Sequence, residues 1–243
     1  MSLNFLIEQN KENGMSAPSQ TLLLAAREKW LNQPPKIDEN YITTVLKQAE
    51  NADVVSFDIF DTVLTRVLEC PIDVFAYVER ELLAQGLPAK GFAKIRFDAE
   101  NRARAVAWNA TKAEEITFNE IYQQVQNAPQ LAGASNVVEA AREAEIQAEQ
   151  IACVPIADQV ELIKRLKAAG KTIIFVSDMY LSQAQIQAIL TYNQIDSLCE
   201  HLFVSSEYNK TKHTGKIWNM VRQHIPATQR ILHIGDNVHS DVE

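Results

Sequence analysis

The sequence predicts an α/β fold built on a parallel sheet, and two observations predict it. Short apolar runs rich in Val, Ile and Phe occur at residues 53–57, 172–176, 202–204 and 231–234. Runs of this length and composition are typical of strands that are buried on both faces. Helical patterns separate the last three runs, and strands that alternate with helices form parallel sheets with right-handed crossovers.

The segment before the first strand is predicted to contain an arm and two helices. Residues 1–18 are polar and are predicted to form a flexible arm. Apolar residues then recur at helical spacing over residues 19–31. Two consecutive prolines, Pro34 and Pro35, follow and end the helix. A second helix is predicted over residues 38–50. We therefore expect an N-terminal helical extension over residues 19–52.

A long helical stretch interrupts the alternation after the first strand. Residues 68–155 contain four helical patterns, at 74–85, 94–107, 118–126 and 137–150. A structureless loop of that length inside a compact domain is implausible. We therefore predict a helical subdomain inserted into a sheet-containing core of residues 53–67 and 156–243. The arginines of this subdomain, among them Arg96, are expected on its solvated surface unless an anionic substrate uses one of them.

The remaining helices belong to the predicted core. Their apolar residues recur at helical spacing over 157–169, 182–190 and 215–224. Gly170 stands where the first of these helices should end, a position at which glycine is favoured because it adopts the left-handed conformation without steric cost. Each helix thus links one predicted strand to the next.

Composition and charge exclude several classes of partner. The chain has 243 residues and a formal net charge of −8, whereas nucleic-acid binding needs clustered Lys and Arg. No apolar run approaches the roughly 18 residues that a membrane span needs, and the N-terminus lacks the pattern of a secretory signal. Three widely spaced cysteines form neither a disulfide framework nor a zinc pattern. We expect a cytoplasmic protein with neither nucleic acid nor membrane as partner.

Polar side chains follow every predicted strand at its carboxyl end. In an open parallel sheet, ligands bind in the crevice beyond those ends. The first strand is followed by residues 58–62, the second by Ser177 and Asp178, the third by the basic segment 209–216, and the fourth by residues 235–241. We therefore expect carboxylates, hydroxyl groups and a lysine to meet at one edge of the sheet.

The carboxylates of this edge predict a metal and a reaction. Asp58, Asp236 and Asp241 would repel one another, and a hard divalent cation with oxygen ligands relieves that repulsion. Mg²⁺ suits a site of a few carboxylates, waters and a substrate phosphate. Asp58 can then attack phosphorus as a nucleophile and form an aspartyl-phosphate. A lysine and the hydroxyl of Ser177 supply positive charge and a hydrogen-bond donor to the phosphoryl oxygens.

The strand ends also match a set of four sequence motifs in order. They are residues 54–62, residues 173–177, Lys212, and residues 231–236 together with Asp241. In this order they resemble the motifs of the haloacid dehalogenase-like hydrolases, and the inserted helices resemble the cap that selects the substrate in that family. The resemblance implies a Rossmann-like sheet and Mg²⁺-dependent phosphatase activity. A small phosphorylated metabolite is the implied substrate.

The resemblance also implies roles for individual residues. It makes Asp58 the nucleophile, with Ser177 and Lys212 as the other catalytic residues. The phosphate-binding set is Thr62, Ser177, Asp178, Lys212 and Lys216, and the metal ligands are Asp58, the backbone carbonyl of Phe60, Asp236 and Asp241. Lys212 and Lys216 compete for one lysine role, and Lys212 is favoured because it falls where the family's lysine is expected. Asp178 either supports phosphate binding or organises its own loop.

Phe60 departs from the phosphatase pattern. Phosphatases of the family usually carry an aspartate there, which protonates the leaving group and then activates water. General acid–base help of that kind is worth roughly 10²- to 10⁴-fold in rate. Asp61, Asp178 and His239 are the candidates to replace it.

Two alternatives follow from Phe60 and from the end of the chain. An aromatic residue at this position resembles the metal-independent 2-haloacid dehalogenases, although those lack the acidic pair that Asp236 and Asp241 form. The other alternative is a catalytically weak binding or regulatory module of a longer protein. The chain ends directly after the fourth motif, so we expect either a missing tail or a fused C-terminal domain.

Overall fold

The computed structural model describes residues 19–237. The arm predicted for residues 1–18 lies outside them. The described residues divide into two compact units. We call them the helical unit, with residues 19–33, 66–112 and 118–154, and the sheet unit, with residues 34–65, 113–117 and 155–237.

The strands confirm the predicted α/β fold with a parallel sheet. In chain order they are β1 Val54–Phe57, β2 Leu64–Arg66, β3 Cys153–Pro155, β4 Thr172–Ser177, β5 His201–Val204 and β6 Ile231–Ile234. Within residues 19–237, β5, β4, β1 and β6 form a four-stranded sheet in that order, and every neighbouring pair is parallel. β2 and β3 pair with each other in a second sheet. The chain passes between the two units at these short strands.

The helices follow the predicted alternation. They are α1 Ser19–Asn32, α2 Glu39–Gln48, α3 Asp73–Ala84, α4 Phe92–Thr111, α5 Phe118–Gln126, α6 Ser135–Ala152, α7 Ala157–Ala168, α8 Gln183–Tyr192, α9 Ser205–Tyr208 and α10 Ile217–Val221. Local chemistry sets several ends. Asp38 caps α2, Ser182 and Gln185 form a capping box at the start of α8, and Gly170 follows α7 with a φ of 80°.

The sheet carries the core of its unit. Val54, Ile174, Val176 and Phe203 lie on one face and pack with Ile217, Val221 and Ile225. Burial of each such side chain stabilises the fold by about 1.5–3 kcal/mol. The polar residues that follow β1, β4 and β6 are therefore attached to rigid strands, which is what a site with fixed geometry requires.

The helical unit holds α1 as well as the inserted helices. α1 packs on α6, and the buried Arg27 donates to the backbone carbonyls of Ile151 and Cys153 at the end of α6. α2 lies in the sheet unit, where Arg165 of α7 pairs with Glu39. The sequence treats α1 and α2 as one extension, and these long-range contacts place them in different units. Over residues 19–237, no helix combines the length and the apolar character that crossing a membrane requires.

Some elements differ from the predicted ones. The helix expected over residues 215–224 is confined to Ile217–Val221, with turns on both sides. β2, β3 and α9 have no counterpart in the prediction. Each has three or four residues, which is too short for a hydrophobic period to be visible in the sequence.

Candidate active site

An ion pair joins the end of β1 to the segment that follows α9. Asp58 directly follows β1, and its backbone N–H donates to the carbonyl of Ile234 in β6 at 2.9 Å. Lys212 Nζ lies 2.8 Å from Asp58 Oδ1. The Lys212 side chain is 2% exposed and that of Asp58 is 13% exposed, so both charges are largely removed from water. In such surroundings their attraction is much stronger than at the surface.

The chain turns sharply after Asp58. The carbonyl of Ile59 accepts hydrogen bonds from the backbone N–H groups of Val63 at 2.9 Å and Leu64 at 2.8 Å. Asp61 adopts a φ of 58°, a left-handed conformation that Asp tolerates better than most residues. Its side chain is exposed, whereas Phe60 is half-buried. The turn thus leaves the carboxylate of Asp58 at the sheet edge and Asp61 in solvent.

Thr62 connects this turn to the end of β6. Thr62 Oγ1 donates to Asp236 Oδ1 at 3.3 Å, and the Thr62 side chain is buried. Asp236 itself is exposed and comes two residues after β6, the strand that pairs with β1. The first and fourth motifs therefore end side by side, as their parallel pairing requires.

The oxygen atoms at this edge suit a hard cation. The carboxylates of Asp58 and Asp236 and the backbone carbonyl of Phe60 are the kind of donors that Mg²⁺ prefers. Asp241, the third predicted carboxylate, lies outside the described residues. Over residues 19–237, no three His, Cys, Asp or Glu side chains form a group that could hold a metal.

The residue that follows β4, Asp178, lies next to Lys212. Ser177 is the last residue of β4 and is buried. Both carboxylate oxygens of Asp178 accept from the backbone N–H of Lys212, each at 2.9 Å. Burial raises the pKa of Asp178, and hydrogen bonds from the backbone N–H groups of Lys212 and His213 act against that rise. Asp178 therefore organises the segment that bears Lys212.

We call residues 209–216 the lysine loop. Its two candidate lysines have different partners: Lys212 pairs with Asp58, and Lys216 pairs with Glu114. The Lys216 side chain is 58% exposed. The structure therefore brings Lys212 to the predicted nucleophile and holds Lys216 in a contact with a different carboxylate.

Residues that the sequence does not single out surround the lysine loop. They are Glu114 and Glu115, which hydrogen-bond to Asn209, Thr211 and Thr214 of the loop. The sequence assigns Glu114 and Glu115 to the inserted helical subdomain, but residues 113–117 belong to the sheet unit. No local pattern marks them, since an acidic pair between two helices is an ordinary surface feature.

The predicted site residues thus fall into three groups. Asp58, Lys212 and Asp178 are directly connected, and Thr62 and Asp236 are bonded to each other at the neighbouring strand end. Lys216 contacts Glu114. Asp241 and His239 lie outside the described residues. The chemical roles assigned to all of them remain predictions.

Comparison with known proteins identifies the family. The model of the haloacid dehalogenase-like hydrolases matches residues 52–243. Curated proteins give no match. The magnesium-bound HAD-hydrolase YfnB from Bacillus subtilis is structurally similar, with a TM-score of 0.53 and 17% identity over 79% of this chain and 83% of that one.

Two dehalogenase structures share the same fold. The 2-haloacid dehalogenase from Pseudomonas syringae pv. Tomato DC3000 has a TM-score of 0.57 and 12% identity over 79% of this chain and 80% of its own. The L-2-haloacid dehalogenase from Xanthobacter autotrophicus with chloropropionic acid covalently bound has a TM-score of 0.50 and 12% identity, over 78% and 71%. At such identities the likeness shows the fold alone. Together with the family model, it establishes that this chain belongs to the haloacid dehalogenase-like hydrolases.

Proposed function

We propose that this protein is a Mg²⁺-dependent phosphatase that hydrolyses a small phosphomonoester through an aspartyl-phosphate on Asp58. The observation that carries the proposal is the 2.8 Å contact between Lys212 Nζ and Asp58 Oδ1 at the end of β1. A nucleophilic carboxylate and a fixed cation beside it are what phosphoryl transfer needs at the attacked phosphorus. The exposed Asp236 at the adjacent strand end supplies a second carboxylate for the metal.

In the first step, a carboxylate oxygen of Asp58 attacks phosphorus and the bond to the leaving oxygen breaks. Lys212 stabilises the negative charge on the phosphoryl oxygens, and the hydroxyl groups of Ser177 and Thr62 donate hydrogen bonds there. Asp58, the Phe60 carbonyl, Asp236 and Asp241 would hold Mg²⁺, which neutralises charge when bound. Water then attacks the aspartyl-phosphate, which releases inorganic phosphate and restores Asp58.

Phe60 shapes the substrate preference of this reaction. A phenyl ring can neither protonate a leaving alkoxide nor activate water. Asp61 is exposed, and Asp178 accepts from Lys212 through both oxygens, which favours a role for Asp178 in organising the loop. We therefore expect faster hydrolysis of substrates whose leaving groups are weak bases.

A second candidate function is 2-haloacid dehalogenation, and Phe60 is the residue that favours it. In that reaction Asp58 attacks carbon, halide leaves, and water hydrolyses the ester. The reaction needs no metal, so Asp236 would have no ligand role. A catalytically weak binding module is the third reading, and it also rests on Phe60.

One experiment separates these functions. Phosphate release from p-nitrophenyl phosphate is measured with Mg²⁺ and with a chelator, for wild type, Asp58→Asn and the control Asp98→Asn. Asp98 is a carboxylate of the helical unit that pairs with Lys94 on the surface of α4. We expect Mg²⁺-dependent release that falls by at least about 10⁴-fold in Asp58→Asn, because loss of a nucleophile has effects of this order.

Other outcomes select the alternatives. Chloride release from 2-chloropropionate that survives the chelator and disappears in Asp58→Asn would establish the dehalogenase. A wild-type protein that binds Mg²⁺ but releases neither phosphate nor chloride would support the binding module and contradict the phosphatase proposal.

A further inference from the structure

A short segment of the insertion belongs to the sheet unit. Residues 113–117 connect α4 to α5, two helices of the helical unit, yet their contacts place them in the sheet unit. They lie against the lysine loop, which bears Lys212. Neither the family motifs nor the proposed chemistry gives this segment a role.

Glu114 makes three contacts with the lysine loop. Its Oε2 accepts from Thr214 Oγ1 at 2.6 Å and from the backbone N–H of Thr211 at 3.3 Å. Its Oε1 pairs with Lys216 Nζ. These contacts lie on both sides of Lys212 in the sequence. The lysine pair, the hydroxyl group of Thr214 and the amide of Thr211 lower the pKa of Glu114, so it remains a carboxylate at neutral pH.

The backbone of the same segment is attached to the start of the loop. Asn209 Oδ1 accepts from the backbone N–H of Glu114 at 2.7 Å and from that of Glu115 at 3.1 Å. Asn209 adopts a φ of 51°, a left-handed conformation that ends α9 and that Asn tolerates well. Glu115 Oε2 accepts from Ser205 Oγ at 3.0 Å. Residues 113–117 therefore contact both α9 and the lysine loop.

Asp178 holds the loop at a further point. It accepts from the backbone N–H of Lys212 at 2.9 Å, so the loop is tied both to the end of β4 and to residues 113–117. A lysine side chain is long and flexible, and its terminal position depends on where its backbone is fixed. Loss of Glu114 would also leave Lys210, Lys212 and Lys216 in one short loop with less negative charge to balance them.

We propose that Glu114 is a positioning residue for Lys212, which it aligns with Asp58 by fixing the lysine loop. The inference rests on the proposed function in one respect, because it takes the phosphoryl group of the substrate as the partner that Lys212 contacts during the reaction. It assigns Lys216 to anchoring Glu114 and leaves phosphate contact to Lys212. Glu114 touches no reacting atom in this scheme and acts only through the loop.

The test combines hydrogen exchange with kinetics. Amide exchange of peptides that cover residues 205–217 is followed by mass spectrometry in wild type, Glu114→Ala, Glu114→Gln and the control Glu50→Gln, since Glu50 is an exposed carboxylate of the same unit. The same proteins are assayed with p-nitrophenyl phosphate and Mg²⁺ at a temperature well below each measured Tm. We expect faster exchange in the lysine loop of Glu114→Ala and a kcat lower by about 10-fold, because small displacements of catalytic groups have effects of this order or larger.

The conservative variant distinguishes positioning from general stability. Glu114→Gln keeps an acceptor for Thr214 and Thr211, so its exchange and its kcat should lie within about 3-fold of wild type even if its Tm falls as far as that of Glu114→Ala. Unchanged exchange in Glu114→Ala, or an equal loss of kcat in the Gln and Ala variants, would overturn the proposal. If wild type proves inactive, changed exchange in Glu114→Ala alone would still support the loop contact, and the phosphatase proposal would fail separately.

Discussion

Two buried ion pairs, one in each unit, use opposite charges in different ways. In the helical unit, Arg96 and Glu145 are both 0% exposed and are joined by three hydrogen bonds of 2.7–3.1 Å. Tyr122 donates to the same carboxylate at 2.8 Å, and the Phe75 ring centroid lies 4.4 Å from the guanidinium carbon. In the sheet unit, Lys212 Nζ lies 2.8 Å from Asp58 Oδ1 at the edge of the sheet.

The two pairs differ in whether the cation can turn from its carboxylate to another oxygen atom. A guanidinium that bonds a carboxylate through two nitrogens has a fixed geometry, and in this pair both side chains are fully buried. An ammonium group is a point charge that can turn from one oxygen to another. The pair in the helical unit is therefore suited to hold helices together. In the proposed function, the pair in the sheet unit would receive a phosphoryl group between its members.

The largest expected effect comes from breaking the pair in the sheet unit. Lys212→Met keeps the aliphatic volume and removes the charge, so we expect kcat/KM for p-nitrophenyl phosphate to fall by about 10²- to 10³-fold, the usual cost of losing one electrostatic stabiliser. Lys216→Met is the matched control, and it should lower kcat/KM by less than about 5-fold because Lys216 contacts Glu114. If Lys216→Met lowered kcat/KM more than Lys212→Met did, the phosphate contact would belong to Lys216 and the assignment to Lys212 would be wrong.

Breaking the pair in the helical unit should cost stability without changing the chemistry. Glu145→Gln leaves the guanidinium of Arg96 buried with less compensating charge, and one broken buried pair costs about 3–5 kcal/mol. Urea unfolding followed by circular dichroism measures this loss, and kcat of the folded protein should stay within about 2-fold of wild type. The double variant Arg96→Met with Glu145→Leu should recover much of the stability. A double variant less stable than Glu145→Gln would contradict the structural role given to this pair.

A third change adds a carboxylate beside the pair in the sheet unit. Phe60→Asp supplies the proton donor that the phosphatases of this family usually carry. We expect kcat/KM for an alkyl phosphate to rise by about 10-fold, which is less than the roughly 10²- to 10⁴-fold that a well-positioned general acid contributes. The kcat/KM for p-nitrophenyl phosphate, which reports only the first step, should change by less than about 3-fold, since its leaving group needs no proton. A drop with both substrates would show that Phe60 has a packing role that Asp cannot fill.

The smallest expected effect is a pH dependence of the lysine loop. The pKa of Glu114 is lowered in the folded protein by its contacts with Lys216 and Thr214. Its contribution is therefore fully present above the unfolded-state pKa of about 4.3 and is lost as the pH falls through the lower, folded value. Loop protection, measured by hydrogen exchange and corrected for intrinsic rates, should be constant from about pH 7 to pH 5 and should decline by no more than about 3-fold below about pH 4, because protonated Glu114 keeps an acceptor as Gln does. Glu114→Gln should lack this decline.

The sequence predicted the parallel sheet and the position of Asp58 correctly for local reasons. A buried parallel strand is marked by a short run of β-branched and aromatic residues, and such runs coincide with β1, β4, β5 and β6. The carboxyl ends of those strands then identify the sheet edge at which Asp58, Ser177 and Asp236 lie. The helices over residues 118–126 and 157–169 were likewise visible from their apolar spacing.

Arg96 shows where such reasoning fails. The sequence placed it on the surface, because Arg is seldom fully buried. Its partner Glu145 lies 49 residues away on α6, and no local pattern connects the two. The packing of α4 against α5 and α6 created a site in which the guanidinium is completely paired. The helices of the helical unit could therefore be predicted from the sequence, whereas the side-chain contacts between them could not.

The sequence by itself determined the fold class, the family and the strand-end carboxylates, since each depends on neighbouring residues or on motif order. The sequence also favoured Lys212 over Lys216 from its place among the motifs, whereas the tertiary structure alone decided which unit receives α1 and where residues 113–117 lie. Glu114 and Lys216 are 102 residues apart, and Asp58 and Lys212 meet only after the two crossovers from β1 to β4 and from β4 to β5 have formed. Hydrophobic periodicity reports which face of an element is buried, but the partners on that face are chosen by the packing of distant elements.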